Sequence, residues 1–179
     1  MSDWNVVVTI AEGRYRQALD LLARHGQVWR SDFYNVLTLK TDDVTGFLEG
    51  LRQAWQDDPH LAGLIGKAIP ASQAFTFQSP EEFQTKAREI MAGLAPQVAG
   101  RGFHVRMHRR GFKGRLSTME VEQLLDGLLM ELTEQMGRPA RVTFSDPQVV
   151  VAVETVGTRA GVSAWEKEER RKYPFLRLD

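Results

Sequence analysis

The sequence predicts an α/β (α+β) protein built from two units. Three observations carry this. Runs of β-branched residues alternate with segments whose apolar residues recur every three or four positions. The first 77 or so residues read strand, helix, strand, strand, helix, strand. A proline-containing capping signal at Ser79 then opens a new series of elements.

In the first unit, Trp4 to Ile10 (WNVVVTI) reads as a buried strand, because β-branched residues suit a pleated, covered surface. Residues 12–24 place Tyr15, Ala18, Leu21 and Leu22 on one helical face, and Gly26 ends that helix. Val28 to Arg30 and Asn35 to Lys40 are strands around a Ser31-Asp32 turn. A second helix over 42–56 aligns Val44, Phe47, Leu48, Leu51 and Trp55. Residues 65–77 form a final strand, interrupted by Pro70. This order is the split βαβ, or ferredoxin-like, arrangement.

The second unit begins at Ser79-Pro80-Glu81-Glu82. Behind it Phe83, Ala87, Ile90, Met91 and Leu94 form an apolar stripe, which Pro96 is expected to end. A strand follows over Phe103 to Arg109. Ser117-Thr118-Met119-Glu120 opens another helix, whose Val121, Leu124, Leu125, Leu128, Leu129, Leu132 and Met136 repeat at helical spacing until Gly137 and Pro139. Arg141 to Phe144, Val149 to Val156 and Gly161 to Trp165 read as strands. The expected division is 1–78, 79–165 and a tail, 166–179. In that tail Tyr173, Pro174, Phe175 and Leu176 read as tying the end onto a core or a partner, and Arg170, Arg171 and Lys172 as a further basic group.

Composition narrows the function classes. The 179 residues are 42% hydrophobic and 26% charged, the balance of a globular chain and not a disordered one. Twenty-three basic and 23 acidic side chains give zero net charge, which excludes a uniformly basic nucleic-acid binder but leaves room for a local patch. Cysteine is absent, so disulfides, thiolate metal sites and cysteine nucleophiles are excluded. The opening MSDWNVVVTIAEG is not a signal peptide, and no apolar run reaches the ~20 residues needed to span a bilayer. A cytoplasmic location is the expectation.

The charge that stands out is Arg101 to Arg115 (RGFHVRMHRRGFKGR), with six Lys or Arg and no acid. On a strand over 103–110, Phe103, Val105 and Met107 point to a core, while His104, Arg106, His108 and Arg110 point to water. Gly111 and Gly114 let backbone approach a ligand, and Lys113 and Arg115 add charge. Arginine forks suit phosphate oxygens, and an exposed Phe112 would stack on an unpaired base. Taken alone, the same run reads first as a solvated face of a small sheet, with Phe112 in the core, because charge runs are commonly only that.

Other chemistries lack support. His104 and His108 stand roughly 13 Å apart on an extended strand, too far for one metal ion. No serine lies in a G-x-S-x-G context and no phosphate loop is present. No cofactor, metal site or catalytic residue is therefore expected.

The stretch FHVRMHRRGFKGRLSTMEVEQLLDGLL, followed by VTFSDPQVVVAVETVGTRAGVS, resembles the THUMP domain of RNA-modification proteins. The matching features are the strand ending in Arg109-Arg110-Gly111, then Lys113-Gly114, the Ser-capped helix, the Asp146-Pro147 turn, and strand 149–156 with Gly157. A ferredoxin-like unit ahead of a THUMP domain is also the family's arrangement. The resemblance implies tRNA binding around the acceptor end. It is nearest to the stand-alone tRNA-binding adaptors of cytidine acetylation, since no catalytic domain follows within this chain. It further implies RNA contacts from Arg106, His108, Arg109, Arg110, Phe112, Lys113 and Arg115, and a separate RNA-modifying partner such as an acetyltransferase. The competing expectations are a protein-interaction module without RNA, and a subunit of an RNA-modifying enzyme.

Overall fold

In the computed structural model, which describes residues 2–178, the first unit carries β1 (Val6–Ile10), α1 (Tyr15–Leu22), β2 (Gln27–Arg30), β3 (Val36–Lys40), α2 (Val44–Asp57), a 3-10 turn (Pro59–Gly63) and β4 (Ile65–Pro70). The strands order as β2-β3-β1-β4, every neighbour antiparallel, which is the ferredoxin-like topology. Asp43 caps α2 by accepting from the Gly46 N–H at 2.8 Å. Val6, Val7 and Val8 are all fully buried, as their β-branched run predicts.

The second unit holds β5 (Gln73–Thr76), α3 (Pro80–Val98), β6 (Gly102–His108), α4 (Thr118–Gln135), β7 (Arg141–Val142), β8 (Val149–Val156), β9 (Arg159–Glu166) and a short α5 (Lys167–Lys172) that leads out of it. Its sheet orders as β5-β9-β8-β6-β7. β6 runs parallel to β7 and β8, while β9 returns antiparallel to β8 and pairs with β5. One sheet face packs on α3 and α4 through Phe83, Met91, Leu125 and Leu129 against Phe103, Val105, Met107, Val151 and Val162.

Four expectations change. The segment 65–77 is two strands and not one: β4 closes the first sheet, whereas β5 pairs with β9 in the second. The units therefore divide between Ala71 and Ser72 instead of near residue 78. Pro96 lies inside α3. The helix continues because Leu94, Ala95 and Val98 are all buried, and packing outweighs the one lost backbone donor. Finally, residues 170–177 of the tail belong to the first unit: Tyr173, Phe175 and Leu176 are buried there, and the Phe175 carbonyl accepts from Ala68 N–H of β4 at 3.0 Å.

Both capping serines act as read. Ser79 Oγ accepts from Glu82 N–H at 3.1 Å, and Ser117 Oγ from Glu120 N–H at 3.3 Å. Glu82 reaches back to the N–H of Gln78 at 2.9 Å.

Candidate nucleic-acid interface

The basic segment is β6 and the loop after it. Phe103, Val105 and Met107 enter the helix-covered core, as alternation requires. The opposite face of β6 does not simply meet water. His104 is 3% exposed, and its Nδ1 lies 3.0 Å from the Thr143 carbonyl oxygen. Beside it in the sheet, Val150, Ala152, Ser163 and Trp165 are buried too, with Trp165 Nε1 donating to Ser163 Oγ at 2.8 Å.

Burial of this face changes what its charges can do. Glu154 of β8 stands directly opposite His108 in the parallel register and is 2% exposed. Arg110 donates to its Oε2 at 2.6 Å, and His108 Nδ1 lies 3.0 Å from its Oε1. Arg110, expected on phosphate, is thus held by a buried carboxylate, and His108, expected there too, stands beside the same carboxylate. A buried anion must be neutralised locally, because its desolvation is far costlier than that of a surface group. Arg106 lies 4.0 Å from Glu122, its side chain about one-third exposed.

The free edge of β6 beyond β7 is finished by α4. Asp126 accepts from Val105 N–H and Glu122 from Met107 N–H, each at 2.8 Å. The two carboxylates, four residues apart, fall on one helix face and replace a missing strand. Burial pushes the Asp126 carboxyl up to about 6, and the charge of Glu122 adds to this. The Val105 N–H and Arg106 pull the other way.

What remains outward is the loop 109–115. Arg109 donates to the Gly111 carbonyl. Gly111 (φ 104°) and Phe112 (φ 53°) both adopt left-handed backbone. A Cβ on Gly111 would come within 3.2 Å of the Gly157 Cα, so the β8–β9 turn packs directly on the loop. The Arg110 carbonyl accepts from Gly157 N–H at 2.8 Å. Phe112 does not project as a stacking ring. It lies half-buried with its centroid 5.0 Å from Phe77, and the Arg115 guanidinium covers it at 4.9 Å. The positive φ turns the ring inward, and the exposed plane is that of Arg115. Lys113 and Arg115 are exposed, and Arg109 is half-exposed.

The tail cations are drawn elsewhere: Lys172 pairs with Glu49 of the first unit at 2.7 Å. No group of three or more metal-ligating side chains occurs among the described residues. Among the described residues no helix is long and apolar enough to cross a membrane.

Neither protein-family models nor curated protein sequences match the chain. Solved structures do. PH1313 from Pyrococcus horikoshii Ot3 superposes with a TM-score of 0.59 at 13% identity, over 90% of this chain and 54% of that one. TrmN from Thermus thermophilus gives 0.58 at 18% identity, over 93% and 47%. A 4-thiouridine synthetase in complex with RNA and ATP gives 0.50 at 17% identity, over 92% and 42%. The chain thus spans about half the length of the structures it matches. The likeness is one of fold: a ferredoxin-like unit followed by an α/β unit of THUMP-like fold.

Proposed function

We propose that this protein is a non-catalytic, cytoplasmic tRNA-binding adaptor that grips the acceptor end and presents the tRNA to a separate modifying enzyme, such as a cytidine acetyltransferase. The supporting observation is the outward group Arg109, Lys113 and Arg115 on a loop braced by Gly157. It stands on a fold shared with a 4-thiouridine synthetase solved with RNA. The three cations neutralise phosphates. The Arg115 plane, backed by Phe112, takes the stacking role that the sequence offered to Phe112, since guanidinium planes stack on unpaired bases. Arg110 instead holds the loop to β8 through Glu154.

Binding of intact tRNA and of tRNA trimmed of its 3′-terminal nucleotides, at one salt concentration, tests this reading. Intact tRNA is expected to bind more tightly, by roughly 5-fold or more per stacked base lost. Equal binding overturns acceptor-end recognition. Absence of tRNA binding overturns the RNA reading altogether.

A further inference from the structure

The opposite end of the second sheet carries a second cationic group, assembled from residues that are scattered in sequence. A ladder of backbone bonds builds it. Gly100 N–H donates to the Arg138 carbonyl at 2.8 Å, Arg141 N–H to the Arg101 carbonyl at 3.0 Å, and Thr143 N–H to the Phe103 carbonyl at 2.8 Å. Gln148 closes the same end: its Oε1 accepts from Gly102 N–H at 2.9 Å, and its N–H donates to the Gly102 carbonyl at 2.8 Å.

Two guanidinium groups lie beside glycines there. A Cβ on Gly100 would stand 3.7 Å from a guanidinium nitrogen of Arg138, and one on Gly102 3.7 Å from Nε of Arg141. Arg138 and Arg141 are both exposed. The other charges at this end are already matched. Arg101 pairs with Glu166 at 2.8 Å, Lys167 pairs with Asp146 at 2.6 Å, and Glu169 accepts from the Glu166 N–H at 2.9 Å. Neither Arg138 nor Arg141 has a carboxylate pair among the described residues.

A stacking ring stands beside them. Phe144 is 69% exposed and lies on the buried His104 ring at 5.1 Å, the planes tilted by 39°. The Thr143 carbonyl oxygen lies 3.0 Å from His104 Nδ1, which fixes that support. Gly102 beside Arg141 and His104 beneath Phe144 are two residues apart on one face of β6, a spacing of roughly 7 Å along the strand. That is the reach from a nucleotide's phosphate to its own base.

We propose that Arg138, Arg141 and Phe144 form a second RNA contact that takes one unpaired nucleotide, its phosphate on the guanidinium groups and its base on the Phe144 ring. This rests on the RNA reading above. It places the contact about 20 Å along β6 from the Gly111–Gly114 loop, by the rise of a strand, so one RNA molecule is held at both ends of the sheet.

Fluorescence anisotropy with end-labelled total tRNA tests it. Phe144→Ala is expected to weaken binding about 5-fold or more, with Phe144→Trp retaining it, because a larger ring still stacks. Arg138→Gln with Arg141→Gln is expected to flatten the slope of log affinity against log salt by roughly 1 to 2. All these side chains are exposed, so the melting temperature should hold. Wild-type affinity and slope in both variants overturn this contact while the RNA reading stands. Altered slope in the arginine variant with an indifferent Phe144→Ala overturns nucleotide capture. A wild-type protein that binds no tRNA overturns both readings.

Discussion

Arg110 and Glu154 form a buried ion pair, with the guanidinium donating to Oε2 at 2.6 Å and the carboxylate 2% exposed. The pair joins the end of β6 to β8 and takes one arginine of a conspicuous basic run away from solvent. Which cations serve the fold and which serve a ligand is therefore decided by a residue 44 positions along the chain.

The first prediction follows from that pair. Arg110→Gln strands a buried carboxylate and is expected to cost about 3 kcal/mol of stability, since removing one partner of a buried pair leaves its charge uncompensated. Adding Glu154→Gln to the same chain should recover most of the loss. Urea denaturation midpoints of the two variants and the wild type check it. A single variant as stable as the wild type contradicts the pairing.

Neutralising Arg109, Lys113 and Arg115 together has the opposite profile. Exposed charges contribute about 0–1 kcal/mol each, so the fold should survive. The salt slope of tRNA binding should flatten by roughly 2, at 0.7–0.9 per phosphate contact. An unchanged slope removes this loop from the interface.

Asp126 is expected to make stability depend on pH. Its folded value, about 6, is raised above the ordinary 3.8, chiefly by burial. Its favourable contribution is complete below about pH 4 and is lost as pH rises through about 6. Asp126→Asn keeps a carbonyl acceptor for Val105 N–H and carries no charge. It should raise stability at pH 7.5 by about 1–3 kcal/mol and leave it nearly unchanged at pH 4. Thermal melts across that range read the difference.

Glu49 should act at the other extreme. Lys172, Tyr173 and Arg52 hold its carboxyl down to about 2. Tyr173 donates to its Oε1 at 2.5 Å and Lys172 lies 2.7 Å from it. The contact is complete above the ordinary carboxylate range and is lost only as pH falls through about 2. Glu49→Gln at neutral pH should speed amide exchange over residues 170–177, with less effect on β1. Equal exchange there would show that Phe175 alone seats the tail.

Much of the fold was legible locally. The Val6–Val8 run, the Ser79 and Ser117 caps, the stripe from Val121 to Leu129 and strand 149–156 all arise from propensity, capping and periodicity, which operate within a few residues. Pro96 was misread because a local breaker signal cannot weigh the burial of Leu94 and Val98 against one missing donor.

By itself, the sequence determined most of the elements, the helix-covered face of β6, the ferredoxin-like order of the first unit and the location of the basic run. Only the tertiary structure decided three further things. It assigned β5 to β9 rather than to the first sheet, because strand pairing is chosen by hydrogen-bond partners distant in the chain. It turned Phe112 inward onto Phe77 and left Arg115 as the exposed plane. It set Glu154 opposite His108 by the parallel register of β6 and β8, so that a buried carboxylate holds Arg110 while Lys113 and Arg115 face solvent. Charge is written residue by residue, but its availability to a ligand depends on burial and on partners brought together only by the sheet.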